Sequence, residues 1–296
     1  MQDDPLLQFL AENHRLKFIP FGGNGGDRLL QWCVKRLVEE SASEVVEEGH
    51  DCLCYHGGGM FGYYDDVALL EDVPPGPEPL VFFPRACYWR GTDIMARYVA
   101  QFERMGRPLI IFARDEVSYG YFAELQRAVY CDLRLSHDAA ILYDTIMEHD
   151  RDILLTTFRA PREDLVAVYR RTDCESAEWP RFTLKGQRCL HLDPAQIGFL
   201  SPEHTLTAIG QSAYLAYWAI SYVPKVVVTD RLHVAIGRWL FGLPTILFPG
   251  REHKIKAAWE RSLAPGPRGA VFVESFEELV WAVKAFGLTL AVERGI

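Results

Sequence analysis

The chain has 296 residues, a formal net charge of −9 and a hydrophobic fraction of 49%. This composition is typical of a folded globular protein, and the negative charge argues against a partner that is nucleic acid, whose binding surfaces are usually basic. No apolar run approaches the ~18 residues of a membrane span, and Met1–Asp4 lacks the basic start of a signal peptide, so we expect a cytoplasmic protein without a transmembrane segment.

The first half of the chain is predicted to alternate strands and helices after a short lead-in at residues 1–15. The predicted strands are Leu16–Phe21, Cys52–Tyr55, Leu80–Phe83, Pro108–Ala113 and Leu133–Leu135. The predicted helices are 28–40, 92–105, 119–130 and 139–150. Residues 72–79 contain four prolines and a glycine, which indicates a loop.

The second half continues the alternation. Its predicted strands are Ile153–Phe158, 225–229, Thr245–Phe248 and 270–273. Its predicted helices are 204–220, 231–241, 253–262 and 275–285. The polar stretch 160–187 is predicted to be an irregular crossover between domains. Alternating strands and helices indicate a parallel sheet covered by helices on both faces.

One stretch, Val226–Gly237, combines a strand end with chemically active side chains. Three valines predict a buried strand, and Asp230 is predicted to cap the helix that follows. Arg231 and His233 then fall on the first helical turn, where unpaired N–H groups attract anions and an imidazole, with an ordinary pKa of about 6.5, moves protons. The alternative is a solvated arginine and a core histidine. Function is favoured because ligands of open α/β sheets bind at such strand ends.

Glycine clusters follow two predicted strands, at Gly22–Gly26 and at Gly57–Gly59. Glycine lets backbone N–H groups approach a ligand closely, although a tight turn is the alternative use. Neither cluster matches a dinucleotide fingerprint or a P-loop. Asp27 at the start of the next helix, together with both clusters, predicts one edge of a binding cleft.

Two further cations follow predicted strands. Arg114 is followed by acidic residues, and a surface ion pair is the alternative to function there. Lys254 follows Thr245–Phe248, and a solvated helix face is its alternative. The chain has seven cysteines, an odd number, and no C-x-x-C pair, which favours reduced thiols. Cys52-x-Cys54-x-His56 would fall on one strand face without a second ligand cluster, so we expect no metal.

The order and spacing of several motifs resemble the polysaccharide pyruvyl transferase family over about residues 18–260. These motifs are Gly23-Asn24-Gly25-Gly26-Asp27, Gly57-Gly58-Gly59, Arg114-Asp115-Glu116-x-Ser118, Asp138-x-Ala140, Thr229-Asp230-Arg231-Leu232-His233 and Lys254. The T-D-R-L-H run is the most specific of them, followed by G-N-x-G-D. The chain departs from the family pattern at Pro84–Trp89, where relatives often have a glycine-rich turn, and in its compact length.

The resemblance implies two Rossmann-like domains facing a central cleft, similar to GT-B glycosyltransferases. We expect residues 1–150 to form the acceptor side and residues 151–296 the donor side. The reaction implied is transfer of a pyruvyl group from phosphoenolpyruvate to sugar hydroxyls, which forms a pyruvate ketal on a polysaccharide or its oligosaccharide precursor. No cofactor is implied. Whether the glycan acceptor is carried on a lipid, and whether the protein attaches to the inner face of the membrane, stay open.

The implied roles follow the chemistry of the donor, whose phosphate and carboxylate need at least two cationic contacts. The donor-binding residues are predicted to be Arg231, Leu232, Arg114 and Lys254. The acceptor-binding residues are predicted to be Asn24, Gly57, Gly58 and Gly59. His233 and Asp27 are the predicted acid–base catalysts.

Two alternatives remain at this point. The first is a glycosyltransferase of similar architecture that uses a nucleotide sugar and binds its ribose through Glu274 or Glu277. The second is a non-catalytic module that binds sugar or phosphate. Phosphate release from phosphoenolpyruvate in the presence of glycans would separate all three.

Overall fold

The computed structural model of the protein describes residues 3–12, 14–19, 24–63, 67–147, 161–176, 179–194, 220–266 and 268–292. Internal contacts divide the chain into two compact units. The first is built mainly from Leu30–Ile146, and the second from Asn24–Leu29 together with most of the chain after Met147. Both units have parallel sheets flanked by helices, so the predicted α/β class is confirmed.

The first unit is organised on a seven-stranded sheet with the order β2-β1-β3-β5-β6-β7, and β4 pairs with β5. Its strands are β1 (Arg15–Phe18), β2 (Glu44–Val45), β3 (Cys52–Tyr55), β4 (Met60–Phe61), β5 (Leu80–Cys87), β6 (Leu109–Ala113) and β7 (Cys131–Leu135). Every pairing is parallel. All residues of β3 and β5 are buried, as expected for strands covered on both faces.

The helices near this sheet are α1 (Pro5–Ala11), α2 (Gly25–Glu39), α3 (Thr92–Met105), α4 (Glu116–Gln126) and α5 (Ala139–Leu142), with 3-10 turns at Val67–Leu70 and Tyr143–Thr145. The predicted helix 92–105 is confirmed, and it ends at Gly106 because a left-handed φ of 60° stops the helix there. The helix predicted at 139–150 is shorter, since α5 gives way to a 3-10 turn; residues 148–150 lie outside the described residues.

The second unit has a five-stranded parallel sheet with the order β10-β8-β11-β12-β13 and an antiparallel pair, β14-β9. Its strands are β8 (Arg162–Tyr169), β9 (Phe182–Lys185), β10 (Arg188–Leu192), β11 (Pro224–Thr229), β12 (Thr245–Leu247), β13 (Ala270–Phe272) and β14 (Thr289–Val292). Its helices are α6 (Leu232–Leu240), α7 (Lys254–Ala258) and α8 (Phe276–Ala285), and a π-helical turn spans Trp259–Leu263.

The prediction of an irregular crossover at 160–187 was wrong, because β8 and β9 lie within it. The buried end of β8, from Val166 to Tyr169, pairs in parallel register with β11. Its first three residues are exposed and charged, and they hide the strand pattern in the sequence. The strand predicted at Ile153–Phe158 and nearly all of the helix predicted at 204–220 lie outside the described residues. None of the helices in the described ranges has the length and apolar character that crossing a membrane requires.

Candidate functional site

Charged side chains gather where four neighbouring strands of the second unit end. They follow β8, β10, β11 and β12, and the carboxyl ends of parallel strands share one edge of the sheet. We call this group the strand-end charge cluster. Its members are Arg171, Asp173, Glu175, Asp193, Asp230, Arg231 and Lys254. Three cations meet four carboxylates, so the cluster has no excess positive charge when every member is ionised.

Arg231 is held by carboxylates of the protein itself. Its Nε and Nη2 donate to the two carboxylate oxygens of Asp193 at 2.9 and 2.6 Å, and Nη2 also donates to Asp173 at 3.1 Å. Asp193 is fixed in turn by the backbone N–H and hydroxyl of Thr172, both at 2.9 Å. Among the residues that the structure describes, Nη1 of Arg231 makes no hydrogen bond. The bidentate side of this guanidinium is therefore occupied, and Nη1 is the nitrogen left to a ligand.

Lys254 is also ion-paired. Its Nζ contacts a carboxylate oxygen of Glu175, which is 2% exposed and lies 2.8 Å from Nη2 of Arg171. Arg171 further donates to both oxygens of Asp173, at 2.9 and 3.0 Å. Burial raises the pKa of Asp173, but the hydrogen bonds from Arg171 and the charges of Arg171 and Arg231 outweigh it, so that the pKa lies below its ordinary value. An anionic ligand would have to compete with these internal carboxylates.

Asp230 is the most deeply buried acid of the cluster. Burial raises its pKa to about 6, against the opposing effect of the hydrogen bond from the backbone N–H of Arg171 at 2.8 Å and of nearby arginine charges. Its second oxygen, Oδ2, is buried without a hydrogen-bond partner in the described part of the chain. The predicted N-cap role was wrong, because the carboxyl group turns to Arg171 and Arg231 occupies the cap position of α6.

Helix α6 begins after Arg231, whose own side chain makes no capping hydrogen bond, and the first intrahelical bond runs from Ala235 N to Arg231 O at 3.1 Å. The preceding turn is held by Thr229, whose hydroxyl accepts from the N–H of Arg231 at 2.9 Å. An uncapped helix start attracts anions. Leu232 is 5% exposed, whereas His233 is partly exposed beside this helix start.

The start of α2 lies against His233 within the second unit. The side-chain oxygen of Asn24 accepts from Gly26 N at 2.8 Å, and Asp27 accepts from Asn24 N at 2.9 Å. This reciprocal cap gives the G-N-G-G-D pattern a structural cause. A Cβ atom added to Gly26 would lie only 2.7 Å from Nδ1 of His233. The structure thus brings Gly26, which lies within the Asn24–Asp27 cap, next to His233, a residue distant in sequence.

In the first unit, Arg114 lies at the end of β6 and is 2% exposed. Its Nη1 donates to Asp138 at 3.2 Å, and its Nε is 3.9 Å from Asp115. Asp115 caps α4 by accepting from the N–H and the hydroxyl of Ser118 at 2.7 and 2.9 Å. The acidic residues around Arg114 therefore hold the strand end together, and the arginine lies inside that network.

The Gly57–Gly59 loop follows β3 and packs on β5. A Cβ atom at Gly57 would lie 2.6 Å from the carbonyl oxygen of Pro84, so only glycine allows this approach. Gly58 and Gly59 have φ values of 108° and 63°, which favour glycine. The carbonyl of Gly58 accepts from Nη2 of Arg85 at 2.8 Å. This buried arginine was not among the predicted site residues.

The acidic half of the strand-end charge cluster was not predicted from the sequence either. Asp173 and Glu175 lie in the stretch that was predicted to be irregular, and Asp193 follows a strand that was not predicted. The apolar run Val166–Tyr169 followed by R-R-T-D-C-E was the available signal. Glu274, named for the nucleotide-sugar alternative, accepts from Lys256 at 2.9 Å.

Fold and site together define an α/β protein with two parallel sheets and a charged strand-end site. A solved structure of an uncharacterized protein from Klebsiella pneumoniae subsp. pneumoniae NTUH-K2044 is similar, with a TM-score of 0.65 and 20% sequence identity. The match covers 91% of this chain and 96% of that chain. This likeness concerns the fold alone. No protein-family model and no curated protein matches the sequence.

Proposed function

We propose that this protein transfers a pyruvyl group from phosphoenolpyruvate to two hydroxyls of a sugar, which forms a pyruvate ketal on a polysaccharide or its oligosaccharide precursor. The observation that carries the proposal is the start of α6. There an uncapped helix start, Arg231 and His233 lie beside the first turn of α2 with Asp27. An arrangement of two domains similar to GT-B glycosyltransferases, acting in the cytoplasm on a glycan acceptor, belongs to the same proposal.

The donor is an anion with a phosphate and a carboxylate, and several groups are assigned to it. The N–H groups of the first turn of α6 and Nη1 of Arg231 bind one anionic group. Leu232 and Lys254 complete the donor-binding part of the site. Lys254, which contacts Glu175 in this structure, leaves that carboxylate and contacts the donor instead. Arg114 is the second arginine assigned to the donor, and Asn24 and the Gly57–Gly59 loop are assigned to the acceptor.

The reaction balances without a redox partner. A proton adds to the methylene carbon of the donor, and a sugar hydroxyl attacks the adjacent carbon and loses its own proton. The C–O bond to phosphate then breaks with its electron pair on phosphate, and a second hydroxyl of the same sugar attacks, loses its proton and closes the ketal ring. His233 is assigned the proton transfers at the donor, and Asp27 the activation of a hydroxyl.

The test is phosphate release by the purified protein. The protein is mixed with phosphoenolpyruvate and a panel of glycans, and free phosphate and a new acid-labile ketal are measured together. Release of one phosphate for each ketal supports the proposal. A parallel thermal-shift screen compares phosphoenolpyruvate with nucleotide sugars. Stabilisation by a nucleotide sugar alone would overturn pyruvyl transfer in favour of a glycosyltransferase, and binding without turnover for any glycan would favour a non-catalytic module.

A further inference from the structure

Arg85, in β5 of the first unit, is a buried cation that is 3% exposed. Its Nη2 donates to the carbonyl of Gly58 at 2.8 Å. Its guanidinium carbon lies 5.1 Å from the centre of the Phe61 ring and 5.8 Å from that of Phe82. The two aromatic faces attract the cation, and they offset part of what its removal from water costs.

Arg85 makes one hydrogen bond to the described residues, the one from Nη2 to Gly58. Its Nε is buried and has no hydrogen-bond partner, and no carboxylate pairs with the guanidinium within the described ranges. A buried charge without an opposite charge is strongly unfavourable, and proteins rarely retain one. Nε of Arg85 is therefore a buried donor of a charged group for which the described residues supply no acceptor.

Other buried arginines of this chain show what a structural role requires. Arg107, in the same unit, is 8% exposed and donates to Pro74 O, Glu78 O and the Glu78 carboxylate at 2.8, 3.0 and 2.9 Å. Arg238, in the second unit, donates to a set of backbone carbonyls and a threonine hydroxyl. Both donate from Nε and from at least one further nitrogen to the protein, whereas Arg85 donates from Nη2 alone.

The neighbourhood of Arg85 fits a ligand at the sheet edge. Arg85 pairs with Ala113, the last residue of β6, and its carbonyl accepts from the N–H of Arg114 at 3.2 Å. Nε of Arg114 is likewise buried without a hydrogen-bond partner in the part of the chain that the structure describes. Two buried arginines with unsatisfied Nε–H groups thus sit on adjacent strands at the carboxyl edge, where ligands of parallel sheets bind.

Gly59, a partly exposed residue, lies close to the guanidinium of Arg85. A Cβ atom added to it would lie 3.6 Å from Nη2 of Arg85, and apart from its sequence neighbours no other atom of the described residues is within 4 Å. A side chain at this position would therefore stand against Nη2, and the positive φ of 63° keeps the position suited to glycine.

We propose that Arg85, with the Gly58–Gly59 backbone, forms a binding site for an oxyanion, the carboxylate or phosphate group of a small molecule. Nε and Nη2 of one arginine form a planar fork that matches two oxygens of such a group. The site shares the Gly57–Gly59 loop with the acceptor assignment above, but it goes beyond the proposed function, because Arg85 has no part in that reaction and anion binding by it does not depend on pyruvyl transfer.

The experiment follows thermal unfolding of the full chain in a chloride buffer of constant ionic strength. Inorganic phosphate, glucuronate and neutral glucose are titrated into the wild type, Arg85→Met and the matched control Arg107→Met. Phosphate or glucuronate should raise the melting temperature of the wild type by about 2–6 °C at concentrations far above Kd, and glucose should not. The two anions separate a phosphate-bearing ligand from a carboxylate.

The variants separate binding from structure. Arg85→Met should be at least as stable as the wild type without anion, because it removes an unpaired buried charge, and it should lose the response to anions. Arg107→Met should be less stable and keep the response. If Arg85→Met does not fold, Arg85→Lys replaces it and should bind the anion at least about tenfold more weakly.

A second measurement reads the proposed contact directly. In the ¹H–¹⁵N NMR spectrum of protein carrying ¹⁵N-labelled arginine, the Nε–H signal of Arg85 should shift when the stabilising anion is added. The Nε–H signal of Arg107 should stay in place. The proposal is overturned if no anion stabilises the wild type and no arginine signal moves. It is equally overturned if Arg85→Met loses as much stability as Arg107→Met and still responds to anions, since Arg85 would then be structural.

Discussion

Arg231 donates two hydrogen bonds to the carboxylate of Asp193, from Nε at 2.9 Å and from Nη2 at 2.6 Å. The arginine of the T-D-R-L-H run therefore also stabilises the structure of its unit. It joins the end of β11 to the end of β10, with β8 between them in the sheet. Any role in donor binding is therefore combined with a structural role, and substitutions must be designed to separate the two.

Arg231→Lys tests this combination. Lysine keeps the charge but has no planar fork, so one of the two contacts with Asp193 is lost. We expect the free energy of unfolding to fall by about 1–3 kcal/mol and the affinity for phosphoenolpyruvate to fall about ten- to a hundredfold. Chemical denaturation and calorimetric titration measure the two effects. Arg188→Lys, an exposed arginine 3.5 Å from Asp164, is the control and should change neither. If Arg231→Lys lowers the stability but leaves the donor affinity unchanged, the role of Arg231 is structural only.

Gly26→Ala tests the contact between α2 and His233. Alanine normally favours a helix over glycine by up to about 1 kcal/mol, but here its methyl group would lie 2.7 Å from the imidazole Nδ1. We expect His233 to be displaced and turnover to fall while the protein stays folded. Gly120→Ala is the matched control, because outside its own helix backbone no atom of the described residues lies within 4 Å of a Cβ added to that helical glycine. Equal activity of both variants would show that the position of His233 is unimportant.

The elements that sequence predicted well are those whose pattern is local. The helix 92–105 and the strand Cys52–Tyr55 have the predicted bounds, because apolar spacing and flanking glycines act within a few residues. Strand β8 was missed because its exposed, charged start breaks the apolar run. Strand β8 is fixed by its pairing with β11, a distant part of the chain, and the local sequence carries no signal of that pairing.

The candidate site depended more on distant contacts. The strand-to-helix position of Arg231 and His233 was predictable, since it follows from one short stretch. The carboxylates that hold Arg231 come from two other strand ends, and their proximity follows from the strand order of the sheet. No local pattern encodes that order. The closeness of Gly26 to His233 is a contact of the same kind.

His233→Ala tests the proposed proton transfer. Loss of one acid–base group usually lowers turnover by roughly 10²–10⁴. His233 is partly exposed, so we expect the fold to persist. Phosphate release from phosphoenolpyruvate with an active glycan is the measurement. His191→Ala, an exposed histidine on β10, serves as the control and should keep the wild-type rate. A folded His233→Ala protein with full activity would make this histidine structural.

The buried carboxyl group of Asp230 should make the stability of the protein depend on pH. Burial raises the pKa of this carboxyl group from its ordinary value of 3.8 to about 6. Between these values the folded protein keeps the proton that the unfolded chain releases. The contribution of Asp230 to stability is therefore fully present below about pH 4 and is lost as the pH rises through about 6. The loss is on the order of 3 kcal/mol, at about 1.4 kcal/mol for each pH unit.

Asp230→Asn should remove this dependence, because the amide oxygen still accepts from the N–H of Arg171 and no charge forms. The difference in unfolding free energy, variant minus wild type, should rise between pH 4 and pH 7, and denaturant titrations across that range measure it. Taking this difference cancels the contributions of the other carboxylates to the pH dependence of stability. One of them is Asp173, whose lowered pKa changes the stability in the opposite direction. Asp164→Asn is the control, since that exposed carboxylate has a lowered pKa, so its effect lies below about pH 4 and the difference should stay nearly constant between pH 4 and pH 7. Parallel stability curves for Asp230→Asn and the wild type would show that Asp230 is ionised at no cost, and that the arginines of the cluster compensate its burial in full.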